Sequence, residues 1–228
     1  MRFAIVNPNG IDINKTLKKE GIKIVKKNPD FVICVGGDGT ILLSERLYPS
    51  IPKLATKASK ICEKCEYTPS QLKAALKLIK EGKYKIKEEK KLEAKFKNKK
   101  LVALNEIQIH NKDPSVALRF SLHVNGKVYR NLIGDGVIIA TPYGATGYYK
   151  SAGGKKFKSG IGIVLNNLHS EGKKNVIVNE NSKIVVKVER EEAWLIRDND
   201  KNFIKLKPGD KVYINLSKEK AKFLSFNS

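Results

Sequence analysis

The stretch that most constrains this chain is the apolar run Phe31–Val35, which passes without a break into Gly36-Gly37-Asp38-Gly39-Thr40 and then into the apolar segment Ile41–Leu47. A short uninterrupted apolar run bounded by glycines reads as a buried strand, and the segment after it reads as a helix. The glycines leave several backbone N–H groups unshielded by Cβ atoms and let an anionic oxygen approach a helix start. A strand, a glycine turn and a helix in that order can hold phosphate. The one charged side chain on the turn is Asp38. A carboxylate is a poor phosphate ligand, but it suits accepting a proton from an attacking hydroxyl or positioning Mg²⁺, so an acid in an anion cradle points to phosphoryl transfer. The competing reading is a tight turn in which Asp38 merely caps the helix.

The flanking sequence extends the α/β pattern. Arg2–Val6 reads as a strand, followed by an Asn-Pro-Asn-Gly turn, a helix over about Asp12–Glu20 and a strand candidate at Gly21–Val25. A second helix is expected from Thr68 or Pro69 to Glu81, with Leu72, Ala75, Leu76 and Ile79 at helical spacing and Gly82 ending it. Beyond the lysine-rich segment Tyr84–Lys100 the pattern turns to β. Strands are expected at Leu101–His110, Ala117–Val124, Lys127–Ile133, Gly136–Thr141, Ile161–Leu165, Ser182–Glu189, Ala193–Ile196 and Lys211–Leu216, with Asn125-Gly126 as a hairpin turn. The expected architecture is an α/β N-terminal domain over residues 1–90, a β-rich, β-sandwich-like domain over 91–216, and a tail over 217–228.

With 228 residues, 41% of them hydrophobic, the chain can build substantial cores. Its apolar runs fall short of a membrane span, and the N-terminus does not read as a signal peptide. Three cysteines cannot all pair within one chain, which together with Cys34 inside an apolar run suggests a reducing cytoplasm. The net charge of +22 concentrates polyanions of any kind, nucleotides and polyphosphates included. Its lysines are spread along the whole chain with no aromatic-interleaved basic motif, so specific nucleic-acid binding is not expected. Cys62 and Cys65 have half the spacing of a zinc site, but His110, His123 and His169 supply no matching half, so no metal site is expected.

Far downstream, Asp135-Gly136 opens a strand that leads into Thr141-Pro142-Tyr143-Gly144-Ala145-Thr146-Gly147-Tyr148 and Ser151-Ala152-Gly153-Gly154. Together with Gly36–Thr40 and Asn105-Glu106, and in the same order, these blocks resemble the NAD kinase family. The glycine pentapeptide alone is shared with diacylglycerol-type lipid kinases; the other two blocks are not. The resemblance implies a two-domain fold. It also implies transfer of phosphate from ATP or polyphosphate, with Mg, to the 2′-hydroxyl of the adenosine ribose of NAD, in a homo-oligomer (dimer or tetramer) without membrane association. It assigns Asp38 as general base, Gly36, Gly37, Gly39 and Thr40 to the phosphates, and Asn105 and Glu106 to adenine and ribose groups. Asp135 falls to the nicotinamide end, and Thr146, Gly147, Tyr148 and Ser151 to the dinucleotide pocket.

Asn105 and Glu106 raise a geometric requirement, because neighbours on a regular strand point to opposite faces. If both touch one ligand, the strand must end or bulge there. The chain also departs from the family pattern. Ile51–Lys60 stands where NAD kinases carry a glycine-rich Gly-Ile-Asn block, with Lys57 or Lys60 as possible phosphate clamps, and the late Asp-Gly-Gln motif is reduced to Asp198-Asn199-Asp200. An NAD-binding protein of the same fold with weak or no kinase activity is the second function these residues allow.

Overall fold

The computed structural model describes residues 1–60, 62–169 and 175–226. The chain divides into two compact units, Met1–Glu89 with Lys220–Ser228, and Lys90–Glu219. Of the expected C-terminal tail, residues 217–219 therefore stay with the second unit and the remainder joins the first, while Asn227 and Ser228 lie outside the described residues. Among the described residues no helix is long and apolar enough to cross a membrane.

The first unit contains β1 (Arg2–Val6), α1 (Asn14–Lys19), β2 (Lys23–Ile24), β3 (Phe31–Gly36), α2 (Asp38–Leu47), β4 (Lys53–Lys57) and α3 (Leu72–Lys80), the last preceded by a 3₁₀ turn at Pro69–Gln71. Its strands are parallel in the order β2-β1-β3-β4, with Phe223 of the C-terminal segment paired to Lys53 at the edge of β4. All six residues of β3 are buried. Phe31, Ile33 and Val35 pack in one cluster with Leu17, Leu72, Leu76 and Ile79, whereas Val32 and Cys34 pack in another with Ala4, Val6 and Leu43. Apolar packing on both faces is why this strand reads as a continuous run rather than an alternation.

The second unit contains β5 (Lys85–Phe96, which begins in the first unit), β6 (Lys99–Ala103), β7 (Glu106–Asn111), β8 (Leu118–Val124), β9 (Lys127–Gly134), β10 (Gly136–Ala140), α4 (Tyr148–Ser151), β11 (Ile161–Asn166), β12 (Asn175–Val178), β13 (Ile184–Arg190), β14 (Ala193–Arg197), β15 (Ile204–Leu206) and β16 (Lys211–Ser225, which ends in the first unit). One sheet runs β16-β13-β8-β9, with β5 joining β16 to β6; the other runs β12-β11-β10-β7-β14-β15. Alternate residues of both sheets, among them Ile107, Ile109, Val137 and Ile139 against Phe120, Leu122, Val186 and Ile214, form one buried core. The β-sandwich-like expectation fits this packing. Asn125 and Gly126 take φ +51° and +86°, as the hairpin requires.

Four strands arise where the pattern showed none, β4, β5, β12 and β15, and the first two have a clear physical reason. In β4, Lys53 interrupts the apolar signal yet is fully buried, because its ammonium pairs with Glu45 at 2.5 Å and donates to the carbonyls of Tyr48 (2.9 Å) and Ile51 (2.8 Å). In β5, residues 85–90 are mostly exposed, so a run of Lys and Glu around the single exposed Ile86 carries no apolar face to detect in the sequence. Conversely, the single strand expected over Leu101–His110 is two strands, β6 and β7, broken at Leu104 and Asn105.

Candidate active site

Helix α2 starts at Asp38 rather than at Ile41, with Gly37 as its N-cap in an extended conformation. The carbonyl of Gly37 accepts from the N–H groups of Thr40 (2.9 Å) and Ile41 (3.3 Å), which closes the first turn around the glycines. Gly36 has to be glycine for a steric reason: a Cβ there would run into the side chain of Thr40. Lys57, the last residue of β4, is the register partner of Gly36, placing one of the two proposed clamp lysines beside the turn, while Lys60 is exposed. Asp38 is only partly exposed, since its Oδ1 accepts from the N–H of Lys64 at 3.0 Å and its Oδ2 from the N–H of Glu63 at 3.2 Å. The same loop carries a disulfide between Cys62 and Cys65, and the Cys62 sulfur lies 3.1 Å from Oδ1. A disulfide sulfur has no proton to donate, so this is a packing contact. The two cysteines are a covalent pair on the glycine turn rather than half of a zinc site, and Cys34 is the free, buried thiol.

In the second unit, the break between β6 and β7 puts Leu104 and Asn105 in a turn, with Glu106 at the start of β7, and this turn is held from two sides. From one side the Asp198 carboxylate accepts from the N–H groups of Leu104 (2.9 Å), Asn105 (2.7 Å) and Glu106 (3.2 Å), and the Asp198 N–H returns a bond to the Glu106 carbonyl at 2.9 Å. From the other, buried Thr141 donates its hydroxyl to the Leu104 carbonyl at 2.6 Å and its N–H to the Asn105 carbonyl at 2.8 Å. Asp198 takes φ +46°, a left-handed conformation that aspartate tolerates better than most residues. The backbone of the turn is thus satisfied internally, but its side chains are not. Asn105 Oδ1 and Glu106 Oε2 are both buried without a protein partner. An orphaned buried acceptor costs on the order of 1–3 kcal/mol, which a bound ligand recovers.

The two carboxyls of this turn differ in charge state. Burial, and then the charge of Asp198, push the Glu106 carboxyl up to about 8, so it carries a proton at neutral pH and Oε2 can present an O–H. Burial also raises Asp198, to about 6, but three backbone N–H groups oppose that and keep it the ionised member of the pair near neutrality.

From this turn the other expected residues follow in sequence. A Cβ on Gly147 would lie 3.2 Å from Asn105 Nδ2 and 3.7 Å from Glu106 Oε2, so its missing side chain leaves room beside both. Gly144 abuts the Asn105 backbone, where any Cβ would overlap it. Tyr148, at the start of α4 and 37% exposed, accepts from Asn166 Nδ2 at 3.2 Å. The Asn166 carbonyl accepts from the Asp135 N–H at 3.0 Å, and the Asp135 carboxylate accepts from Asn167 Nδ2 at 3.3 Å. Tyr149, by contrast, is wholly buried against Phe157 and anchors α4 in the core. Thr146 is half-buried on the 3₁₀ turn Tyr143–Thr146, and Ser151 is exposed at the end of α4. The structure thus links Asn105, Glu106, Gly147, Tyr148 and Asp135 along β10. The register Ala140↔Glu106 and Gly136↔His110 sets Asp135 and Glu106 near opposite ends of that strand, a separation of roughly 17 Å at the usual rise of a strand.

The family profile described as the ATP-NAD kinase C-terminal domain matches residues 104–226. The chain belongs to the NAD kinase family. An NAD kinase of Sulfurisphaera tokodaii is 35% identical over 98% of this chain and 94% of its own length, and one of Thermoplasma volcanium is 31% identical over 93% of this chain and 79% of its own. The fold is that of an NAD kinase from Archaeoglobus fulgidus solved with ATP (TM-score 0.82, 24% identity, 100% of this chain and 94% of that one) and of a yeast NADH kinase solved with NADH (0.83, 17%, 99% and 83%). In the sequence Asp198 stands out only as a departure from a motif, and Asn166 and Asn167 belong to no motif at all. The signal for Asp198 was weak: one acid in a charged run whose partners lie 92 to 94 residues away.

Proposed function

We propose that this chain transfers the terminal phosphate of ATP or polyphosphate to the 2′-hydroxyl of the adenosine ribose of NAD, giving NADP. The observation that carries the NAD half is the buried, unpartnered pair of acceptor atoms at Asn105 and Glu106, beside Gly147 and linked to Asp135 roughly 17 Å along β10. That is the length scale of an extended dinucleotide rather than of a mononucleotide. Asn105 and Glu106 take the adenine and ribose groups, Thr146, Gly147, Tyr148 and Ser151 line the middle, and Asp135 with Asn167 meets the nicotinamide amide.

Gly36, Gly37, Gly39 and Thr40 take the donor phosphates. Asp38 receives the 2′-hydroxyl proton as the new O–P bond forms and the bond to the leaving phosphate breaks in line. Mg²⁺ would come with the donor phosphates and neutralise their charge, with Asp38 the one carboxylate on the glycine turn that could help hold it. The family resemblance also supports a homo-oligomer, dimer or tetramer, acting in the cytoplasm. Incubation of purified protein with NAD, Mg²⁺ and ATP or polyphosphate tests the proposal: NADP is expected, and NAD binding without any NADP from either donor would overturn it.

A further inference from the structure

Residues 58–60 and 62–66 belong to a connection whose two ends are fixed side by side in the first unit. It leaves the sheet after Lys57, where the Ala58 N–H is bound to the Gly36 carbonyl at 2.8 Å. It returns at Tyr67, which bridges Thr56 and accepts from the Lys57 N–H at 2.6 Å. Between those anchors the tip, Cys62–Cys65, rests on the glycine turn. It places one N–H on each oxygen of Asp38, the Cys62 sulfur 3.1 Å from Oδ1, and the Cys65 sulfur 3.7 Å from the Gly36 carbonyl. Both cysteines are partly exposed residues, on the side of the chain that a soluble thiol or disulfide can approach.

We infer that Cys62 and Cys65 are a redox-active dithiol/disulfide site that reacts with small-molecule disulfides and thiols, and that its disulfide form holds the loop tip on Asp38 and withholds that carboxylate from the substrate hydroxyl. The inference rests on the proposed role of Asp38. An incoming 2′-hydroxyl must reach one of two oxygens, and although each could accept a second bond, in the closed loop each already accepts a backbone N–H from the loop tip and Oδ1 has the Cys62 sulfur against it as well. The disulfide limits the tip to conformations in which the Glu63 and Lys64 N–H groups stay together over the carboxylate. Two free thiols remove that restraint, and the anchors at Ala58 and Tyr67 let the tip lift without disturbing β4.

The exchange balances with one co-reactant. A thiolate from one of the two cysteines attacks a small-molecule disulfide RSSR, forming a mixed disulfide and releasing RS⁻. The second cysteine then attacks the protein-side sulfur, forming the Cys62–Cys65 bond and releasing the second RS⁻. The two thiol protons end on the two RSH products, RSSR takes up two electrons and the cysteine pair loses them. Cys34 takes no part: it is fully buried, and burial pushes its thiol up to about 11, so it presents almost no thiolate.

The test equilibrates the whole chain with oxidised or reduced glutathione and measures two things, the NADP formation rate and amide hydrogen exchange over residues 62–65. Oxidised protein is expected to turn over roughly tenfold more slowly than reduced protein, with the Glu63 and Lys64 amides protected only in the oxidised state and both changes reversed by dithiothreitol. The double variant Cys62→Ser/Cys65→Ser, which keeps Cys34, is expected to match reduced protein under both conditions. Equal turnover in the two states, or a loss on oxidation that persists in the double variant, would overturn the inference. Should reduced protein make no NADP, the kinase reading itself fails, and the exchange measurement then decides alone, with equal protection in both states counting against the device.

Discussion

The two carboxyl groups at the centre of the proposed chemistry, Asp38 in the first unit and Glu106 in the second, sit in opposite circumstances. Asp38 is partly exposed, yet both its oxygens are occupied by the chain's own N–H groups. Glu106 is 4% exposed and carries an oxygen with no partner at all. One acid must be uncovered before it can act, whereas the other must be covered by a ligand before it is satisfied. The contrast matches a division of labour: a group that moves a proton has to exchange partners during turnover, and a group that recognises a ligand gains from being rigid and dry beforehand.

The largest effect should come from the first acid. Asp38→Asn is expected to slow NADP formation by roughly 10²-fold or more while leaving NAD affinity by calorimetry unchanged; turnover near wild type would remove Asp38 from the chemistry. Next are the groups around the second acid. Glu106→Ala and Asp198→Asn should each raise the KM for NAD roughly tenfold, the first by deleting a buried contact and the second by loosening the turn that aims it. The KM for ATP should not move in either, and a parallel rise in both constants would mean simple loss of folding rather than lost recognition.

A smaller effect concerns pH. Glu106 is raised in the folded protein from 4.5 to about 8, so the folded state holds this proton more tightly than the unfolded chain does. Its stabilising contribution is fully present below pH 4.5 and is lost as pH rises through about 8, and Asp198, raised from 3.8 to about 6, adds a loss of the same sign across a lower window. Urea midpoints compared at pH 5 and pH 8.5 should therefore fall less in Glu106→Gln than in wild type, and an equal fall in both would deny Glu106 its buried proton. Smallest of all, Gly147→Ala places a methyl 3.2 Å from Asn105 Nδ2, in space assigned to the dinucleotide. It should raise the KM for NAD a few-fold, roughly what a few tenths of an ångström of readjustment costs, without changing the Asp38-dependent rate at saturation.

Much of this division was legible in one dimension. The β3–glycine–α2 unit follows from an apolar run meeting three glycines, and the hairpin at Asn125-Gly126 follows from two residues that accept positive φ. Even the interruption at Asn105 was foreseeable, because two neighbouring side chains cannot serve one ligand from a regular strand. What stayed hidden depends on pairing across distance. Lys53 looks like a strand breaker until Glu45 lies against it, β5 looks like a solvated linker until β6 and β16 flank it, and Asp198 looks like surface charge until three N–H groups converge on it. Cys62 and Cys65 looked like an incomplete zinc site until the loop laid them on Asp38.

The amino-acid sequence by itself thus determined the local devices: where backbone could bend, which strands would be buried on both faces, and which polar residues stood in a motif. Those outcomes depend on steric and hydrophobic terms that act within a few residues of chain. Only the tertiary structure decided which polar groups are satisfied and which are left waiting. That depends on partners brought together across 24 to 94 residues, as at Asp38 with the 62–65 loop and at Asn105-Glu106 with Asp198. A buried carboxyl keeps or loses its proton, and a catalytic one is free or occupied, according to that distant company and not according to its own neighbours in sequence.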